Sequence, residues 1–311
     1  MPSMQKVAVT GPTGEIGSAF VRFCLDAGLQ VLAICRPGSA RAHVLPKHKN
    51  LRTVACALDQ LDSLDVAQAG QQDVFFHLGW ADTFVSASRN DLVPQLLNVK
   101  YAIEAARLAK RLGCEAFVGA GSQAEYGRSA VPLRPDSPCH PENGYGMAKL
   151  CAGQMTRLEC RTLGLRHIWP RFFSVYGPED RAVAMIPSII ANCLAGVSPK
   201  LTSGEQLWDY LYSRDVAESL YLMGQKGRDG AIYTVGCGKP RQIREYVEII
   251  CKMANPAVKP EFGAVPYAKS QVMFLCADIE AAQKDLGWQP NTSFEQGIAW
   301  TLDWHKNIIN K

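Results

Sequence analysis

No apolar run in the 311 residues approaches the roughly 20 needed to cross a bilayer, so no transmembrane helix is expected. No lysine and arginine cluster stands out either. The 33 basic and 29 acidic residues leave a net charge of +4, too mild and dispersed for a nucleic-acid surface. A weak positive field suits an anionic small molecule instead. The 11 cysteines include no Cys-x-x-Cys pair, and Cys24, Cys35 and Cys56 lie in apolar runs. That excludes a zinc ribbon or a disulfide framework and fits buried, reduced thiols in the cytoplasm. A strand begins within a few residues of Met1, which leaves no room for a signal peptide. Internal repeats, low-complexity tracts and linkers are also lacking, so the chain reads as one large domain or two intimately joined ones.

The first feature present is a strand, turn, helix and strand between Lys6 and Arg36. Val7-Ala8-Val9 is a short apolar run, followed by Gly11-Pro12-Thr13-Gly14-Glu15-Ile16-Gly17. An amphipathic helix over Ser18 to Asp26 leads to a second apolar run, Val31 to Cys35. Three glycines between a strand and a helix let the backbone approach a pyrophosphate. The helix N-terminus then offers it unpaired N–H groups and a positive dipole end. This context points to dinucleotide binding; a tight turn without a ligand is the plainer reading.

The alternation continues. Leu51 to Cys56, Asp73 to Leu78, Ala116 to Ala120 and Arg166 to Pro170 read as strands; Leu92 to Leu112 and Tyr145 to Leu163 read as helices. Pro94 falls in the first turn of its helix, where a missing N–H costs little. The pattern predicts an α/β fold, a doubly wound parallel Rossmann sheet over residues 1–177. Beyond Gly177 the rhythm changes. Helices over Val183 to Ala195, Val216 to Gln225, Arg241 to Met253, Asp278 to Leu286 and Ser293 to Lys306, with a strand at Ala231 to Val235, predict a smaller α/β substrate-binding lobe. That lobe takes residues 178–311 and exchanges some elements with the first, and the site is expected between the two.

Three stretches carry chemistry. Tyr145 and Lys149 are four apart on one helix face, where an ammonium would lower the phenol pKa so that it can exchange a proton with a hydroxyl. Ser122 follows the fifth strand, at the carboxyl edge where open sheets bind ligands. It is either a hydrogen-bond donor to a substrate oxygen or a turn-capping serine. Asn98 lies in an apolar helix and either holds backbone or water near the lysine or faces solvent.

The glycine turn, Ser122, Tyr145 and Lys149 resemble the extended short-chain dehydrogenase/reductase family, in its nucleotide-sugar epimerase, dehydratase and reductase branch. The resemblance extends through Pro170 to Pro178, Trp208 to Ala217, Tyr233 to Gly238 and Asp278 to Trp288. It implies that Tyr145 is the general acid/base, that Lys149 tunes it and contacts the cofactor ribose, and that Ser122 orients the sugar oxygen. It further implies cofactor contacts from Gly11, Thr13, Gly14, Glu15, Ile16, Gly17, Arg36, Asp59 at the adenine, Leu78, Gly79, Trp80, Asn98, Pro170, Phe172 and Phe173. Substrate contacts would come from Ser122, Gln123, Tyr145, Arg171, Ser174, Arg181, Trp208 and Lys269, and no metal is expected. The substrate would be a nucleotide-diphosphate sugar and the assembly a homodimer.

Departures from the branch pattern matter. NAD-preferring relatives carry Asp where this chain has Cys35, and Arg36 follows with Arg41 nearby. An arginine there favours a 2′-phosphate, so NADP(H) is favoured over NAD, unless Arg36 only stacks on the adenine. Ser174 replaces an Asn, and Trp208 replaces an Arg that reaches the diphosphate; the tryptophan either contacts substrate or packs in the core. Gln123 and Ala124 supply no acid/base pair for elimination, and Glu125 is the nearest carboxylate. Reduction of a 4-keto hexose by NADPH is therefore the leading expectation and 4-epimerisation with bound NAD its rival. Dehydration and a non-catalytic NADP(H)-binding protein rank lower.

Overall fold

The computed structural model describes residues 4–83, 86–269 and 271–309. Seven parallel strands form the main sheet: β1 (Lys6–Thr10), β2 (Gln30–Cys35), β3 (Leu51–Ala55), β4 (Val74–His77), β5 (Ala116–Gly119), β6 (Arg166–Phe172) and β7 (Ala231–Val235). Their order is β7-β6-β5-β4-β1-β2-β3, and the two-residue strand Gly121–Ser122 pairs with β6. The strand order reverses between β1 and β4, which opens a crevice at their carboxyl ends. Thr10 pairs with His77 there, and their side chains bond at 2.9 Å. Burial pushes the His77 imidazole down to about 3, so it stays neutral.

Strand residues alternate between two cores. Val7, Val9, Val74, Phe76 and Val118 face α1 (Glu15–Asp26), which contributes Phe20, Val21 and Cys24. Ala8, Phe75 and Phe117 face the opposite layer, where α2 (Leu92–Arg111) contributes Ala105, Leu108 and Ala109. Beside α2 on that layer packs α3 (Gly144–Leu163). Side-chain alternation along a strand with both faces covered explains the near-continuous apolar runs.

The second lobe gathers α4 (Met185–Leu194), α6 (Ile243–Ala254) and α8 (Phe294–Ile309) around Ile190, Tyr246, Ile250 and Ile298. The other two helices after residue 177 are α5 (Ser213–Lys226) and α7 (Glu280–Leu286). The chain nevertheless returns to the main sheet beyond residue 177. Strand β7 pairs with β6, and α5 packs on α1 to complete the first core. The expected helices all form, with ends shifted by up to three residues. One end matters: β6 runs two residues past Pro170 and carries Arg171 into the sheet.

Asp209, fully buried, ties the lobe's loops together. Its carboxylate accepts from the backbone N–H of Cys237 (2.5 Å), Gly238 (3.0 Å) and Ala277 (2.9 Å). Replacing it leaves three backbone donors, one of them fully buried, without this acceptor. Asp209→Ala should cost roughly 3 kcal/mol or more, read as a fall in the urea midpoint at unchanged slope.

Candidate active site

The glycine turn divides its glycines by duty. Gly11 has φ +66°, and a Cβ there would lie 2.6 Å from the Gly79 nitrogen. A Cβ on Gly17 would lie 2.1 Å from the Gly11 carbonyl oxygen. Gly14 is different: it is exposed at the N-cap of α1, and its Cβ would meet only the Gly11 oxygen, at an ordinary 3.5 Å. Nothing in the chain itself requires glycine at 14. The open backbone there, ahead of the first N–H groups of α1, fits a dinucleotide pyrophosphate.

Thr13, Glu15 and Ile16 sit half-buried in this turn. Arg41 donates from Nε to the Thr13 carbonyl at 2.9 Å and from its terminal nitrogen to the Glu179 carbonyl at 2.7 Å. Arg22 pairs with Glu179 at 3.1 Å. Burial raises the Glu15 carboxyl well above its ordinary range, and the charge of Asp180 adds to this. Burial likewise pushes Asp180 up to about 6. These contacts pin the segment after Gly177 to the cofactor turn. They also occupy Arg41, leaving exposed Arg36 as the cation at the end of β2. Asp59 is exposed on the turn Leu58–Ser63.

The chemistry gathers at the ends of β4 and β5. Ser122 caps a short helical turn over Gln123–Glu125: its Oγ accepts from the Ala124 N–H at 3.2 Å. Helix α3 begins against this turn, and a Cβ on Gly146 would lie 2.3 Å from the Ala124 oxygen. Asn143 caps α3 by accepting from the Gly146 N–H at 2.8 Å. The first turn of α3 thereby brings the Tyr145 phenol towards the Ser122 hydroxyl, which favours the ionised phenol. The capping role expected for Ser122 is the one its hydroxyl fills here.

Lys149 is buried one turn further on. Its Nζ donates to the Ala120 carbonyl at 2.7 Å and lies 3.7 Å from the centre of the Trp80 ring. It stands 5.7 Å from the Tyr145 ring centre. Burial lowers the ammonium to about 7. Tyr145 departs from expectation: burial raises the phenol, opposed by the Ser122 hydroxyl and by Arg89. In this state desolvation outweighs the cations, so the predicted lowering by lysine is not the net result.

Asn98 is 1% exposed and holds the loop after β4. Its Oδ1 accepts from the Ala81 N–H at 2.9 Å, and its amide donates to the carbonyls of Ala81 and Pro94, each at 3.1 Å. It therefore acts through the Ala81 backbone. Gly79 is buried, with its N–H on Thr10 Oγ1 at 3.2 Å; Leu78 and Trp80 are half-buried. Pro170, Phe172 and Phe173 are buried, and Gln123 is half-buried beside Ser122.

Arg171, expected as a substrate contact, lies buried in the sheet. It is 2% exposed, and its Nε donates to Glu125 Oε2 at 2.6 Å. Glu125, fully buried, also accepts at Oε1 from the Ser122 N–H (2.8 Å) and from Trp169 Nε1 (3.0 Å). The extra residues of β6 turn Arg171 inward to this carboxylate, so neither group reaches solvent. Ser174 and Trp208 do come together, the indole donating to Ser174 Oγ at 2.7 Å. Arg181 is exposed beside Asp180, and Lys269 is exposed on a turn. Sequence reasoning missed Arg89, whose guanidinium lies 4.4 Å from the centre of the Tyr145 ring. It comes from a one-turn helix, Ser86–Arg89, with no pattern linking it to the tyrosine.

Residues 7–236 match the family model described as the NAD dependent epimerase/dehydratase family. The chain belongs to that family, within the extended short-chain dehydrogenases/reductases. The dTDP-glucose 4,6-dehydratase of Haemophilus influenzae is 25% identical over 336 residues, covering 97% of this chain and 98% of its own. MoeE5, solved with UDP-glucuronic acid and NAD, is 26% identical with a TM-score of 0.84, covering 97% of this chain and 99% of that one. UDP-N-acetylglucosamine 4-epimerase from Methanobrevibacter ruminantium shares the fold at 23% identity and a TM-score of 0.88, covering 98% and 99%.

The glycine geometry gives a paired test. Gly17→Ala drives a methyl into backbone and should cost about 3 kcal/mol or more in thermal or urea unfolding. Gly14→Ala should change stability by under about 1 kcal/mol yet weaken dinucleotide binding at least about tenfold, measured by calorimetry.

Proposed function

We propose that this chain transfers hydride at C4 of a nucleotide-diphosphate hexose without elimination, in the reductive direction on a 4-keto sugar with NADP(H). One observation carries this reading. Ser122, Tyr145 and Lys149 meet at the carboxyl edge of the sheet, while the adjacent positions hold no available second acid/base. Gln123 and Ala124 cannot titrate, and Glu125 is sealed between Ser122, Trp169 and Arg171. Elimination, which the dehydratase relatives perform by name, would need such a group.

The nicotinamide, when bound, supplies the hydride. The protein's part is proton handling and placement. The Ser122 hydroxyl holds the sugar oxygen on C4 beside the Tyr145 phenol, and Tyr145 delivers its proton to that oxygen as the negative charge develops. Lys149, one turn along α3, would hold the cofactor ribose. Ser174 and Trp208 belong to the sugar side, and exposed Arg181 and Lys269 to the diphosphate side. NADP(H) is favoured because Cys35 replaces a carboxylate and Arg36 is exposed next to it.

The second reading is 4-epimerisation with retained NAD. It is favoured by the NAD bound to MoeE5 and demands the same three residues. Purified protein given NADPH and a 4-keto sugar nucleotide should consume NADPH, and Tyr145→Phe should lower kcat roughly a thousandfold. Interconversion of two sugar epimers without added cofactor, and no NADPH consumption, would overturn the reductive reading.

The assembly belongs to this reading as well. Leu92, Val93 and Leu96 on α2, with Met147, Met155 and Leu158 on α3, leave large apolar side chains exposed on two adjacent helices. A second copy of the chain covers this face, giving a homodimer. Leu96→Glu with Leu158→Glu should shift the sedimentation coefficient from dimer to monomer; an unchanged coefficient would contradict it. All 11 cysteines are unpaired, which suits the reducing cytoplasm.

A further inference from the structure

Arg89 has no role in the scheme above, yet it is the cation nearest the reacting phenol. Its guanidinium carbon lies 4.4 Å from the centre of the Tyr145 ring. Its Nε is buried without a hydrogen-bond partner. Trp80 meets the same ring edge-on at 6.2 Å and 85°. Lys149 is drawn away to the Ala120 carbonyl and the Trp80 face. The other charged group facing the phenol is Glu125, from the turn beneath, with its carboxylate paired to Arg171. His77 lies behind Lys149, and it is neutral.

We propose that Arg89 is a positioning residue for Tyr145: laid over the ring, its permanent charge orients the phenol and stabilises the phenolate. A cation over an aromatic face is held by the ring's electron density, and ionisation of the phenol strengthens that attraction. Arginine side chains carry a permanent charge. The lysine does not, since burial brings it to about 7 and the charge of Arg89 itself disfavours a second cation. Above neutrality Arg89 is thus the constant support and Lys149 the titrating one.

The inference rests on Tyr145 as the acid/base, and its test runs without turnover. The full chain is labelled with 3,5-difluorotyrosine, whose phenol ionises at lower pH, and titrated by fluorine NMR; Tyr145→Phe assigns the resonance. Removing the charge and loosening the pocket move the phenol in opposite directions. Burial is the largest cause holding the phenol up, so water entry would ionise it more readily. Loss of a stabilising cation does the reverse. Arg89→Met should therefore lower the ionised-to-neutral ratio at fixed pH about tenfold. Arg89→Lys should restore part of it. An unchanged or increased ratio in Arg89→Met overturns the proposal. Should that variant fail to fold, Arg89→Gln is read by the same criterion. Failure of wild-type protein to turn over any sugar nucleotide would sink the C4 reading and leave this titration standing.

Discussion

The carboxylate of Glu125 is the constraint on which the site depends. It has three donors and no exposure: the Ser122 backbone, the Trp169 indole and the Arg171 guanidinium. Taking two charges out of water is costly, and the attraction between them offsets that cost only when the remaining polar atoms are satisfied. Here Oε1 carries two hydrogen bonds and Oε2 a charge-assisted one. Trp169 in turn belongs to a row of stacked rings, with His167 at 5.9 Å and Phe117 a further 6.1 Å along. The cluster fixes the turn that presents Ser122, and α3 starts against that same turn. Ser122 and Tyr145 are therefore placed by one buried ion pair beneath them.

That pair also narrows the chemistry. A carboxylate beside Ser122 could serve as an elimination acid, and the family includes dehydratases. Here that carboxylate is enclosed, and the same bond holds Arg171 inside the sheet. Burial dominates the electrostatics of the two titrating residues as well, raising the tyrosine and lowering the lysine. Both shifts favour neutral forms, so ionising the phenol calls for cations placed close to it.

The main sheet was legible because its central strands are apolar on both faces and its helices alternate with them. The glycine turn was legible because two of its glycines answer to backbone clashes and the third to an open face. Ser122, Tyr145 and Lys149 could be named because four-residue spacing and a strand end are local features. The inward turn of Arg171 was not legible because its direction depends on where β6 stops, a boundary two residues beyond the apparent one. Arg89 and the side chain of Trp80 were invisible for a different reason. Both reach the tyrosine across more than fifty residues of chain, through contacts that no spacing records.

The central claim is that hydride passes to C4 of the sugar with Tyr145 supplying the proton. It is tested most directly with NADPH carrying deuterium at the transferable position and a 4-keto nucleotide hexose. The account predicts a product with deuterium bonded to C4, one for each cofactor oxidised, and none with Tyr145→Phe. A product lacking deuterium at C4, or loss of water from an ordinary nucleotide hexose, would contradict it.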